Sequence, residues 1–174
     1  VPSGVPAEPL RSRRVAWQRG KTALMWATAE GHIDVMQLLI NAGAEFRIPS
    51  TIGFTPLLFA TRNGDIGAVE TLIVAGADVN QVGDDGTHAL PLAIISGHAE
   101  LAEFLLAQGA NPNGTMHGIT ALHAAVGNVD IWLRDWLRAR LVSVFSQTTA
   151  GLSPMQRVAI VQTLLAYGAE TNAR

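Results

Sequence analysis

The sequence contains no cysteine. That excludes a disulfide scaffold and any thiolate-ligated metal. It leaves the compartment open, since a chain without thiols survives in either redox state. Charge is also scarce, at 15% of 174 residues, with a formal net of −2. With 48% hydrophobic residues, the chain is too apolar and too weakly charged to be a disordered tail. It is long enough for one domain with a real core. No apolar run reaches the roughly 18 residues of a membrane-spanning helix. The N-terminus lacks the apolar core of a secretory signal, and it begins with Val rather than Met. The expectation is a processed product or a piece of a longer chain.

A basic body is missing as well. Residues 1–21 carry Arg11, Arg13, Arg14, Arg19 and Lys21 against Glu8 alone. Residues 22–130 carry only Arg47 and Arg62 against eleven acids. From 131 onward five Arg face Asp135 and Glu170. Nucleic-acid binders present a basic face along the folded body, so nucleic acid is not the expected ligand. Pro2, Pro6 and Pro9 mark residues 1–16 as an extended, solvated lead-in.

What is present is a period. Gly31, Gly64 and Gly97 lie 33 residues apart, as do Gly43, Gly76 and Gly109, and Gly20, Gly53 and Gly86. An apolar pair precedes each member of the second series: Leu39-Ile40, Leu72-Ile73 and Leu105-Leu106. It recurs as Leu164-Leu165 before Gly168. Such a fixed period signals a repeat array. Within one unit, Thr55 is placed to cap a helix, with Pro56 at its first position. Leu57, Phe59 and Ala60 supply a short apolar face, and Gly64 ends the helix. Val69, Leu72 and Ile73 mark a second helix. The polar stretch from Asp78 to Gly86 then reverses the chain. Two such short helices cannot bury their faces alone, so neighbouring units must stack.

These motifs resemble the ankyrin repeat, a 33-residue unit with a T-P-L-H-x-A signature. The matching runs are Thr22-Ala23-Leu24, Thr55-Pro56-Leu57 and Thr120-Ala121-Leu122-His123-Ala124. The family's G-A-D-V-N ending appears as Gly76-Ala77-Asp78-Val79-Asn80, with looser forms from Gly43, Gly109 and Gly168. Its Gly-His pair appears as Gly31-His32 and Gly97-His98. The resemblance implies an all-α solenoid of helix-turn-helix units joined by β-hairpin-like fingers. It covers residues 17–174, in units of about 17–49, 50–82, 83–114 and 115–174. The third unit departs from the pattern, with His88 at the capping position and Pro91 in the first turn. Its first helix is expected to start a residue or two late. The fourth unit is expected to be interrupted by 27 extra residues, at about 128–153. There Trp132, Leu133, Trp136 and Leu137 recur at helical spacing opposite Arg134 and Arg138. Ser153-Pro154 with Gln156 then restarts a capped helix. The final Glu170–Arg174 resembles the opening of another finger, so a longer array is expected.

Chemistry finds little support. The five His show no ligand spacing, and no metal is expected. In the family, His32 and His98 help tie adjacent repeats, and His123 is structural. Asp84-Asp85 fits a turn better than a catalytic carboxylate pair. No nucleophile elbow, P-loop or dinucleotide fingerprint occurs. Neither enzymatic activity nor a cofactor is expected. The expected function is binding to another protein, with peripheral membrane or lipid-headgroup binding by the Trp/Arg segment at 129–146 as the alternative. The resemblance implies that the finger tips and first helices line the concave binding surface. Carried over by position, the partner-binding residues are Arg19, Lys21, Ile52, Phe54, Arg62, Asn63, Asp84, Asp85, Ile95, Met116, His117 and Ile119. Glu30, Thr51, Thr87 and Ser96 share that face. Ile52, Phe54, Ile95, Met116 and Ile119 are expected to meet water as an apolar patch. Phe54 and Arg62 are the expected anchors, whose truncation would weaken binding and leave the melting temperature nearly unchanged.

Overall fold

A computed structural model of the chain describes residues 21–127 and 151–173. Within them, helices follow in four successive pairs: α1 (Ala23–Ala29) with α2 (Ile33–Asn41), and α3 (Pro56–Asn63) with α4 (Ile66–Val74). Next come α5 (Ala89–Ile95) with α6 (Ala99–Ala107), and α7 (Ala121–Val126) with α8 (Pro154–Ala166). A two-residue ladder joins β1 (Thr115–Met116) to β2 (Ile119–Thr120), with Thr115 opposite Thr120 and Met116 opposite Ile119.

The first helices start where side-chain acceptors supply a cap. Thr22, Thr55 and Thr120 accept from the N–H groups of Met25, Leu58 and His123 at 3.2, 3.4 and 3.3 Å. Asp65 does the same for α4, accepting from Ala68 at 2.9 Å. His88 makes no side-chain cap. Even so, α5 starts directly at Ala89, which corrects the expected late start. Pro91 is the third residue of α5, where the backbone N–H has no intrahelical partner to lose. The His88 ring turns instead to the next finger, where Thr115 N–H donates to Nδ1 at 3.2 Å.

Helices of six to nine residues are too short to persist alone in water. Packing supplies their stability. The first helices stack in order, α1 on α3, α3 on α5 and α5 on α7, while each second helix covers its own partner. One continuous core results, from Leu24 and Met36 through Leu57, Leu58 and Leu72 to Leu101, Leu105, Ile160 and Leu164.

Asparagines stitch the pairs together behind the second helices. The Asn80 amide donates to Gly109 O at 3.1 Å, and its carbonyl oxygen accepts from Asn111 N–H at 2.7 Å. One pair later Asn113 repeats the clamp on Gly168 O (3.5 Å) and Glu170 N–H (2.8 Å). The corresponding position after α2 is Arg47, whose guanidinium lies 5.6 Å from the Phe46 ring centroid instead.

Residues 128–150 lie outside the described part, and with them the proposed helix at 129–146 and its Trp132 and Trp136. Ser153 and Gln156 cap α8 reciprocally, with Gln156 N–H on Ser153 Oγ (3.3 Å) and Ser153 N–H on Gln156 Oε1 (2.9 Å). The half-buried Arg157 ties α8 to the end of α7. Its Nη1 donates to Ala125 O and Gly127 O at 3.3 and 3.0 Å, and its Nε donates to Leu152 O at 3.1 Å. Two of these carbonyls end α7, where a cation also suits the helix dipole. Arg157→Ala is expected to cost ~1.5–3 kcal/mol, the scale of hydrogen bonds to a charged group. Arg157→Lys should recover less than half, because the planar fork is lost. Thermal unfolding of both variants checks this, and an Arg157→Ala melt equal to the parent's would refute it.

Candidate functional site

The fingers are built by backbone turns that link sideways. Ser50 N–H donates to Phe54 O at 2.8 Å, and Gly83 N–H donates to Thr87 O at 2.9 Å. Asp84 N–H reaches Gly53 O in the preceding finger at 3.1 Å. That approach requires a residue without Cβ at Gly83, where a methyl group would lie 2.6 Å from Gly53 O. At the tip of the β1–β2 hairpin, His117 and Gly118 both have positive φ, at 50° and 78°. That is the pattern of a two-residue hairpin turn whose twist matches its strands.

In the first two pairs the residue just before the cap lies against the aromatic residue four into the helix. Phe54 packs edge-on against Phe59, with centroids 5.5 Å apart at 74°. These are the positions before the cap and four into the helix, the two partners of a hydrophobic staple. Lys21 occupies the same place in the first pair, with Nζ 4.9 Å from the Trp26 centroid and 4.6 Å from that of Phe59. Its ammonium is pushed below the usual lysine value, chiefly by burial and then by Arg62, with Glu30 opposing. Burial likewise lowers Arg62. Two partly desolvated cations thus stand near each other, Lys21 over the aromatic rings.

Several expected surface residues are in fact interior. Phe54 (2% exposed), Ile95 (6%) and Met116 (3%) are buried, with Thr87 and Ser96. Ile52 and Ile119 are half-buried against the core. The apolar patch expected of these five hydrophobes is therefore corrected. Phe54 is held by the staple, Ile95 lies on a helix packed between α3 and α7, and Met116 sits on the strand that packs against α5. The staple signal was present in the sequence as Phe54-Thr55-Pro56 with Phe59, and reading by repeat position alone overlooked it.

A polar set remains at the surface. Asn63 is exposed, although its amide donates to Ala29 O at 2.8 Å. Asp84 is exposed, and Asp85 Oδ2 lies 3.0 Å from His117 Nε2 in the next finger. Lys21 and Arg62 are half-buried at the other end of the row. Arg19 lies outside the described residues. His98 serves structure, as its Nε2–H donates to Arg62 O at 3.0 Å. His123 Nδ1 lies 2.8 Å from Thr120 Oγ1. Among the described residues no group of three or more His, Asp or Glu is placed to hold a metal. Among them no helix is long and apolar enough to cross a membrane.

A family model described as "Ankyrin repeats (3 copies)" matches residues 7–83 and, overlapping, 57–137. No curated protein matches the sequence.

Proposed function

The chain belongs to the ankyrin-repeat family, a fold of generally non-enzymatic protein-interaction modules, and from that premise we propose that it binds its partner on the finger and first-helix face, without chemistry. That face divides by charge. Lys21, over aromatic rings, and Arg62 near it form a cationic end, and Asp84 and Asp85, the latter against His117 of the next finger, form an acidic end. The carrying observation is the Lys21 position. Its ammonium stands over two rings beside a second desolvated cation. A carboxylate from a partner would gain charge-assisted hydrogen bonds there. A segment whose acidic residue meets Lys21 and Arg62, with a basic residue toward Asp84, is the fitting complement. Such complementarity sets orientation and on-rate more than affinity.

A photo-crosslinking residue at Asn63, beside Arg62, tests the face against one at Val74, which is also exposed. The expected result is a discrete product from position 63 that Arg62→Glu diminishes at least tenfold and Asp84→Lys weakens. Equal capture from position 74, or capture from 63 that ignores both charge reversals, would remove this face from consideration.

A further inference from the structure

The junctions between successive helix pairs are not tied alike. Between α3–α4 and α5–α6, Asn80 grips Gly109 O and Asn111 N–H. Between α5–α6 and α7–α8, Asn113 grips Gly168 O and Glu170 N–H. The junction between α1–α2 and α3–α4 has Arg47 at that place. The two groups that a clamp would grip there are Gly76 O and Asp78 N–H, and neither bonds to a described residue.

A single bond stands in for the clamp. The Gln81 amide donates to Arg47 O at 2.9 Å, while its own Oε1 is buried with no hydrogen-bond partner among the described residues. An unpaired buried oxygen offsets much of what that bond contributes. On the side of the first helices this junction is tied as the next one is. Asn63 donates to Ala29 O at 2.8 Å, one period before Arg62 O, to which His98 donates at 3.0 Å. The deficit therefore lies behind α2 and α4, where the other junctions carry their clamps. Each junction sets how strongly neighbouring units of an array are coupled. Helices of seven and nine residues, the lengths of α1 and α2, do not persist once they part from their neighbours.

We propose that α1–α2 opens from α3–α4 as one unit, and that this junction gives way before the clamped junction behind it. Opening reaches the cationic end of the finger face. The Lys21 ammonium lies over Trp26 of the first pair and Phe59 of the second, so Lys21 leaves Phe59 and Arg62 when the pairs part. A ligand held by Lys21 and Arg62 together favours the closed form, because only that form keeps the two cations side by side. This gating rests on the proposed binding face, whereas the opening rests on the junction alone.

Native-state hydrogen exchange of the whole chain, with no partner added, tests the opening. The expected result is a step: amides of α1 and α2 share one opening constant, at least tenfold above that of α3 to α6. Arg47→Asn supplies the clamp and should slow exchange in α1–α2 about tenfold, the scale of two backbone hydrogen bonds, while α5–α6 exchanges as before. Asn80→Arg removes the clamp one pair later, so α3–α4 should join α1–α2 in fast exchange. Both positions are exposed, so both variants should fold, as circular dichroism would verify. Four outcomes overturn the proposal. One is protection that grades smoothly from α1 to α6. A second is protection of α1–α2 equal to that of α3–α4. The third is an Arg47→Asn variant that exchanges like the parent, and the fourth is an Asn80→Arg variant whose α3–α4 stays protected. Any of these leaves the binding face standing, since no partner takes part, and a failed crosslink at position 63 leaves the opening standing.

Discussion

Phe54→Ala is expected to destabilise the protein by about 3–5 kcal/mol, the range for emptying a buried aromatic site. The ring is 2% exposed and packs edge-on on Phe59. Its position before the Thr55 cap fixes the angle at which the finger enters α3. Truncation would leave a cavity and free that entry angle together. This outcome replaces the expectation, drawn from repeat position, that the change would spare the melting temperature. Urea unfolding decides the matter. The midpoint should fall substantially with the slope unchanged, and Phe54→Leu should lose distinctly less. An unchanged midpoint for the Ala variant would mean that the ring lies in water after all.

Gly64→Ala is the second large effect expected, at about 2–3 kcal/mol. Gly64 caps α3 at φ +74°, in the left-handed region, where a Cβ costs roughly 1–2 kcal/mol. Space adds to that cost. An added Cβ would sit 2.5 Å from His98 Nδ1 and 2.6 Å from Cε1. The ring would have to leave, and with it the bond to Arg62 O, a further contribution of about 1 kcal/mol. Gly76→Ala is the control, since its φ is also positive at +97° and nothing lies within 4 Å. It should show the conformational cost alone. The two changes Gly64→Ala and His98→Ala should be non-additive, because removing the ring removes the clash. Additive losses in a double-mutant cycle would refute the steric part.

These two residues also show where repeat reading succeeds and where it stops. The glycine series predicts helix ends, and Gly64 ends α3 in the left-handed region. The Ser153–Gln156 box predicts the restart of a helix, and α8 begins there with both reciprocal bonds. The capping threonines behave likewise. All are local devices, in which a side chain acts on backbone three or four residues away, and sequence spacing encodes that reach directly. The family resemblance rests on the Thr-Pro-Leu, Gly-His and Gly-Ala-Asp-Val-Asn runs, and the family-model match bears it out.

Exposure is a different kind of property. Phe54, Ile95 and Met116 hold positions that the family pattern sends to the surface, yet a staple, two flanking helices and a packed strand remove them from water. Arg157 gave no signal in sequence, because two of its three carbonyl partners lie 30 and 32 residues away along the chain. The pairing of Asp85 with His117 spans 32 residues and depends on how neighbouring fingers align. Local chemistry along the chain thus wrote the helices, caps and turns, and the period wrote the order of stacking. Which side chains meet water, and which charges stand together along the fingers, came from packing between repeats, because burial depends on neighbours the chain reaches only after folding.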